Sequence, residues 1–221
     1  MDSAIIMLSK FVLLATYLIQ AIQIFGIKVP SAGSTVEMLT RARVDRDVYR
    51  NHPAGQYLES KLKVAVMTTA TAITTLVFVL PLIVELFPSV TGFLLLLSPR
   101  PRSSFRLAAV IFLVTGNLVS TAAACTLKNH VTFYEFGETR DLYTGGIYRF
   151  VRNPLSTGLA FVYAGFFCYL PSVEMAVGFC VVMLNNRMRI GMEEIYLERT
   201  FGDRYRRYRQ VTGKYFPKFS S

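Results

Sequence analysis

The sequence has no tryptophan, only two histidines, three cysteines and few charged residues. Charged residues make up 17% of the 221 residues, against about 25% in typical soluble domains. Apolar residues reach 52% and are gathered into long blocks of the length that crosses a bilayer. The composition therefore excludes an ordinary soluble domain and predicts an integral membrane protein.

The few histidines and cysteines also exclude two kinds of site. His52 and His130 lack the spacing of metal ligands, so we predict no metal. Cys125, Cys168 and Cys180 fall in apolar stretches without paired spacing, which favours small buried side chains over a disulfide framework or a metal site.

The net charge of +10 does not indicate nucleic-acid binding, because the basic residues lie between and after the apolar blocks. That distribution is typical of the positive-inside pattern and of contact with an anionic leaflet. The basic loops and tail should be cytoplasmic, which places the N-terminus outside and the C-terminus inside.

The apolar blocks predict an all-α fold of about five transmembrane helices. They cover residues 4–27, 62–87, 107–127, 155–170 and 173–184, and the last two form a tight hairpin. Lys10, Gln20 and Gln23 in the first block should face other helices or the interfaces. Gly116 in the third block should permit close approach of another helix. The polar loop of residues 28–61 could hold an amphipathic helix over residues 35–49, but its role is not predicted.

Residues 144–158 form a polar stretch directly before the fourth block. Pro154 suits the first turn of a helix, and Asn153 can serve as its cap. Two glycines allow unusual backbone conformations. The helix start, with Arg149 and Arg152, favours an anionic group nearby. The alternative is a polar loop whose arginines only mark the cytoplasmic side.

A second polar stretch begins in the tail, which we expect to be helical at first. Arg189 and Glu193 are four residues apart and so share one helix face, although such pairs usually only stabilise a surface helix. Residues 201–208 combine tyrosines and arginines, which is also typical of an interfacial anchor.

Together, the two stretches resemble the integral-membrane methyltransferases that include isoprenylcysteine carboxyl methyltransferases and phospholipid N-methyltransferases. The matching residues before the hairpin are Leu142, Thr144, Gly146, Tyr148, Arg152, Asn153 and Pro154. After it they are Arg189, Glu193, Glu194, Leu197, Phe201, Gly202, Tyr205 and Tyr208. The chain departs from the family pattern at Asn153, Ser156 and Thr212, which leaves the exact substrate open.

The resemblance implies S-adenosylmethionine as the methyl donor. The residues it implies for donor binding are Leu142, Thr144, Gly146, Tyr148, Arg152, Asn153, Pro154, Glu193 and Glu194. Glu193 and Glu194 could accept hydrogen bonds from the ammonium or the ribose of the donor, and Arg152 with the helix start could hold its carboxylate. Residues 1–127 would then be a three-span membrane region and residues 128–221 the catalytic region, completed by a cytoplasmic helical segment.

The resemblance also implies a lipid-like acceptor, of which the carboxylate of a prenylated cysteine is the preferred candidate. Arg189 or Arg187 would orient that carboxylate, and Glu193 could serve as a base for an amine acceptor. Four aromatic residues would contact the substrate: Phe161, Phe166, Tyr205 and Tyr208.

Other functions stay open. Phospholipid amines and small thiols are alternative acceptors. An NADPH-dependent, sterol-reductase-like protein has a similar C-terminal region, but its version of the final motif contains tryptophan. A transporter or scaffold would need more ionisable residues in the spans. The expected location is the endoplasmic reticulum, or the inner membrane if the protein is bacterial.

Overall fold

The computed structural model describes residues 2–26, 61–90, 102–128 and 142–218. These residues are helical apart from short connections and one isolated parallel bridge between Val151 and Gly213. The helices are α1 (Asp2–Gly26), α2 (Lys61–Leu86), α3 (Ser103–Lys128), α4 (Pro154–Tyr169), α5 (Val173–Phe201) and α6 (Asp203–Val211), with 3-10 turns at Pro88–Val90 and Gly146–Arg149. The predicted helix over residues 35–49 lies outside the described residues.

Three helices are long and apolar enough to cross a membrane, over Asp2–Gln23, Thr68–Leu86 and Ser103–Thr126. They coincide with the first three predicted spans, and the all-α prediction is confirmed for the described part of the chain. The shorter α4 is also apolar. The total of five spans stays a prediction, since it depends on α4 and on the first part of α5.

Helix α5 continues without a break from the predicted hairpin into the tail. The sequence suggested a boundary near residue 184, but no proline follows there and the helix runs on to Phe201. Gly202 ends it with a φ of 52°, a left-handed conformation that glycine adopts without steric cost. The tail motif therefore lies on the same rigid helix as the hairpin.

Helices α3 and α4 pack with their backbones unusually close. A Cβ atom added at Gly158 would lie 2.6 Å from the backbone nitrogen of Ser120, and one at Gly116 would lie 2.7 Å from the carbonyl oxygen of Gly158. Such small residues allow close helix approach in a membrane. Gly116 thus has the role that the sequence predicted, and α4 is fixed against α3.

Polar side chains join α1 to α3 in the interior. Gln20 donates to Asn117 at 2.9 Å, Asn117 donates to Thr16 at 2.8 Å, and Gln23 donates to Thr121 at 2.7 Å. Lys10 forms an ion pair with Glu85 of α2. The prediction that Lys10, Gln20 and Gln23 face other helices is confirmed.

An aromatic core lies between α1, α2 and α4. Phe166 is fully buried, stacks on Tyr17 at 5.4 Å between ring centroids, and contacts Phe78 edge-on at 5.6 Å. This packing adds contacts with α1 and α2 to the contact of α4 with α3, so three helices hold the helix that follows the polar stretch.

Candidate functional site

The polar stretch reaches α4 through the 3-10 turn Gly146–Arg149. Gly146 has a φ of 55°, and a Cβ atom there would approach the side chain of Thr126 to 3.3 Å. The turn therefore needs glycine for both its backbone conformation and its contact with the end of α3. It carries Tyr148 into the interior, where the residue is 7% exposed.

Tyr148 meets residues from α5 and α6. Its carbonyl oxygen accepts a hydrogen bond of 2.7 Å from the hydroxyl of Tyr208. Burial raises the pKa of Tyr148, and the nearby carboxylate of Glu193 raises it further. The phenol consequently stays neutral and can donate a hydrogen bond beside a carboxylate at neutral pH.

A C-terminal strap, residues 212–216, lies alongside the end of the polar stretch. The Arg152 amide donates to the carbonyl of Gly213 at 2.8 Å, the Gly213 amide donates to the carbonyl of Phe150 at 3.3 Å, and the Asn153 amide donates to the carbonyl of Lys214 at 3.3 Å. Backbone bonds thus hold two segments that are about 60 residues apart.

Asn153 occupies the N-cap position of α4, and Pro154 is its first residue. The capping bond predicted for the Asn153 side chain is not formed, and its amide group donates to the carbonyl of Lys214 at 3.2 Å. The hydroxyl of Thr157 donates to the carbonyl of Tyr215 at 3.1 Å. The side chains of Asn153 and Thr157 therefore bind the start of α4 to the strap.

Arg152 and Glu194 form the charged centre of this arrangement. The Arg152 guanidinium donates to Glu194 Oε1 at 3.4 Å from Nε and at 3.2 Å from Nη2. It also donates to the backbone carbonyls of Arg209, at 3.1 Å, and Thr212. Lys214 Nζ donates to Glu194 Oε2 at 2.8 Å. The side chains of Arg152 and Glu194 are only 11% and 17% exposed.

Tyr205 completes the charged centre from α6 and is 1% exposed. Burial and the charge of Glu194 together raise its pKa to about 12, against the opposing effect of Arg152 and Arg209. The structure therefore brings together Arg152, Asn153, Glu194 and Tyr205, and beside them Tyr148, Glu193 and Tyr208.

An apolar cavity of about 370 Å³ lies between α3, α4, α5 and the strap. Arg187 and Asn186 are its polar residues on α5, and Asn186 donates to the carbonyl of Ser156 at 3.3 Å. The apolar lining includes Phe112, Ala160, Phe161, Ala164, Phe179 and Met183, and the strap contributes Tyr215 and Phe216. The volume falls within the range of small-molecule sites, about 300–1,000 Å³.

Two pairs of predicted site residues are separated. Phe161 lines the cavity, but Phe166 points into the aromatic core, since the two are five residues apart on α4 and face different sides. Arg187 lines the cavity, whereas Arg189 is partly buried on another face of α5, near Tyr163. Arg187 shares its face with Glu194, seven residues later.

A second concavity, the arginine groove, has a volume of about 580 Å³. Leu142 and Thr144, which the resemblance assigned to the donor, lie here and not beside Glu194. The residues that line it are Leu142, Thr144, Arg149, Arg204, Arg207, Tyr208, Val211 and Thr212.

Sequence reasoning missed the strap, and with it Lys214. Only the glycine and proline around residues 213–217 indicate that α6 does not continue, and nothing in the sequence pairs Lys214 with Glu194. Among the described residues, no group of three or more His, Cys, Asp or Glu side chains could hold a metal ion.

Comparison with protein families supports the resemblance. The family model described as phospholipid methyltransferase matches residues 105–204, just under half of the chain. The match begins in α3 and ends in α6, so it includes the polar stretch, the hairpin and the Glu193–Glu194 pair. The predicted resemblance to the isoprenylcysteine and phospholipid methyltransferase superfamily is confirmed. No curated protein matches the chain significantly.

Proposed function

We propose, from the membership of residues 105–204 in a family of membrane methyltransferases, that this protein transfers the methyl group of S-adenosylmethionine to the carboxylate of a prenylated cysteine. The observation that supports this acceptor is the apolar cavity with Arg187 at its edge. An apolar chain in such a cavity would leave a terminal carboxylate close to a guanidinium, a pairing that two parallel hydrogen bonds favour.

The residues beside Tyr148 fit the methyl donor. S-adenosylmethionine carries an ammonium group and ribose hydroxyls, which need acceptors, and an adenine, which needs an apolar contact. Glu193 supplies the acceptor, and the buried Tyr148 ring supplies an aromatic surface with a neutral hydroxyl. The donor's carboxylate would accept from the amides at the start of α4. When bound, the donor supplies a methyl group on a cationic sulfur.

Arg152 and Glu194 act as positioning residues in this proposal. The guanidinium of Arg152 is directed to Glu194 and to two backbone carbonyls, and Glu194 also accepts from Lys214. Their interactions hold the strap against the start of α4. The strap in turn closes one side of the apolar cavity through Tyr215 and Phe216.

The rate of methyl transfer then depends on how the acceptor carboxylate is aligned with the methyl group of the donor. A carboxylate acceptor is already ionised near neutral pH, so no residue has to remove a proton. The opposite charges of the sulfonium and the carboxylate cancel as the bond forms, and a site with little water favours such a step. Arg187 would hold the carboxylate in line with the methyl group, which supplies much of the acceleration. Arg189, on the face of Glu193, would support the donor side.

A phospholipid amine is the second candidate acceptor, and the description of the matching family favours it. An amine must lose a proton to become a nucleophile, and Glu193 is the carboxylate that could accept it. The two acceptors thus differ in their pH dependence, since only amine methylation should rise with pH as the base deprotonates.

We further propose the endoplasmic reticulum, or a bacterial inner membrane, as the location. The lysines and arginines of the polar stretch and the tail support a cytoplasmic position for that side. The boundary between a membrane region over residues 1–127 and a catalytic region over residues 128–221 is likewise our proposal.

In the decisive experiment, purified protein in nanodiscs is incubated with labelled S-adenosylmethionine and one of three acceptors. These are a farnesylcysteine analogue, phosphatidylethanolamine and a small thiol. We expect transfer to farnesylcysteine. Arg187→Gln should raise KM for that acceptor about tenfold or more, because the bond to a charged group is lost, without changing the Kd of the donor. Transfer to phosphatidylethanolamine alone would refute the preferred acceptor.

Donor binding is tested separately by calorimetry. Glu193→Gln should weaken binding of S-adenosylmethionine roughly 10- to 100-fold, since one charged hydrogen bond contributes about 1.5–3 kcal/mol. Glu198→Gln is the matched control, because Glu198 lies on the same helix but pairs with Arg206 and Arg209. Equal affinities for wild type and both variants would contradict the assigned donor site.

A further inference from the structure

The arginine groove lies beside the proposed methyl-transfer residues but is not explained by that reaction. Three arginines from two elements, Arg149 of the 3-10 turn and Arg204 and Arg207 of α6, line one concavity of about 580 Å³. Among the described residues, no carboxylate lines the groove. Hydroxyl groups of Thr144 and Tyr208 lie in it as further hydrogen-bonding partners.

Charges on α6 are sorted between two sides of the helix. Arg206 pairs with Glu198 at 3.3 Å and with Asp203 at 3.1 Å, and Arg209 pairs with Glu198 at 2.9 Å. Within the described ranges, no carboxylate lies at ion-pair distance from Arg149 or Arg207. The positive charges of Arg149 and Arg207 therefore need neutralisation from outside the described residues.

The methyl donor is a poor occupant of this groove. S-adenosylmethionine carries a sulfonium and an ammonium against a single carboxylate, so its net charge is positive at neutral pH. A concavity with several guanidinium groups and no carboxylate would repel it. A phosphate group fits better, because guanidinium forks bind phosphate oxygens through paired hydrogen bonds.

The position of the groove favours a lipid as the source of the phosphate group. Arg149 comes five residues before Pro154, where the apolar helix α4 begins, so the groove lies near the depth of lipid headgroups. Val211, which lines the groove, is 74% exposed, and Phe150, the residue after Arg149, is 57% exposed. Arginines next to exposed apolar residues are typical of segments that contact the membrane interface.

We propose that the arginine groove binds the phosphate headgroup of an anionic phospholipid in the adjacent leaflet. This site is additional to the methyl-transfer site and does not depend on the identity of the acceptor. Bound lipid would neutralise the groove and fix α6 at the membrane surface, and α6 carries Tyr205 and Tyr208, which contact the residues of the proposed donor site.

Native mass spectrometry of the delipidated protein in detergent tests the proposal, with phosphatidylglycerol and phosphatidylcholine as probes. The triple variant R149Q/R204Q/R207Q should bind phosphatidylglycerol on the order of a hundredfold more weakly, since each basic residue near an anionic surface contributes about a factor of five. The control R206Q/R209Q removes two charges from the other side of the same helix and should bind like wild type. Phosphatidylcholine should bind weakly to all three proteins.

The single variant Arg207→Gln, with an expected loss of about fivefold, covers the case in which the triple variant fails to fold. Donor binding should stay unchanged in Arg207→Gln, which separates this site from the proposed function. Equal losses in the triple variant and in R206Q/R209Q would show nonspecific attraction and overturn the proposal. Displacement of the lipid by millimolar inorganic phosphate would also overturn it, because the ligand would then be a soluble anion.

Discussion

Replacement of Arg152 by methionine should release the strap from the rest of the site. The methionine keeps much of the side-chain volume but removes every hydrogen bond from the guanidinium. Glu194 then keeps its ion pair with Lys214, and the carbonyls of Arg209 and Thr212 lose their side-chain donor. The strap then keeps its backbone bonds, the side-chain bonds from Asn153 and Thr157, and the pair between Lys214 and Glu194.

The magnitude follows from burial. A hydrogen bond to a charged group contributes about 1.5–3 kcal/mol, and breaking one side of a buried ion pair costs about 3–5 kcal/mol. Lys214 is 34% exposed and continues to neutralise Glu194, which places the cost near the lower end. We therefore expect a loss of about 3 kcal/mol in the free energy that keeps the strap docked.

Hydrogen exchange read by mass spectrometry measures that free energy directly. A loss of about 3 kcal/mol corresponds to an increase of roughly a hundredfold in the opening of the strap, and peptides that cover residues 203–218 should report it. Peptides from α3 should exchange as in wild type. Arg206→Met is the control, because Arg206 is 59% exposed and exposed pairs contribute about 1 kcal/mol or less. Similar exchange in the two variants would refute the role of Arg152.

Three further predictions concern the rest of the described structure. Gly158→Ala should destabilise the protein by about 1–3 kcal/mol in thermal unfolding, because its Cβ would approach the backbone of α3 to 2.6 Å. Gly191→Ala, with nothing within 4 Å, should instead stabilise α5 by about 0.5–1 kcal/mol. Destabilisation by both variants would contradict this account. Asn117→Leu should lower the free energy of unfolding by about 1–2 kcal/mol in the same assay, since Gln20 and Thr16 lose their partner. An unchanged midpoint of thermal unfolding would argue against the polar network. The pKa of Tyr205 is raised from 10.0 to about 12, chiefly by burial, so this residue contributes stability that is complete below pH 10 and is lost as the pH rises toward 12. Tyr205→Phe should therefore reduce the pH dependence of the free energy of unfolding between pH 10 and 12. Identical pH profiles for the variant and the wild type would exclude the effect.

The sequence predicts the helices better than the site. Apolar length is enough to place α1, α2 and α3, because the bilayer demands about 20 apolar residues for each crossing. The close approach of Gly116 to α4 was likewise visible, since few residues besides glycine permit it. The continuity of α5 into the tail was not, because no local signal separates a helix that stops near residue 184 from one that runs on to Phe201.

The site was only partly predictable because its assembly depends on contacts between distant segments. The motif residues Arg152 and Glu194 were named from the sequence, and the structure brings them together. Their partner Lys214 comes from a strap whose pairing with Val151 leaves no periodic pattern in the sequence. Phe166 was placed with Phe161 because both are aromatic, and only the packing of α4 shows that one of them belongs to the core.

The bridge between Val151 and Gly213 also gives the protein an order of assembly. Residues 212–216 leave the ribosome after every described helix has been synthesised, so Asn153 and Glu194 gain their contacts with the strap only after α6 has formed. A chain that stops after Val211 would keep all the described helices and could insert in the membrane, yet Asn153 and Glu194 would each lack a bond that the complete structure provides. Membrane insertion and completion of the site are therefore separate steps in the folding of the protein.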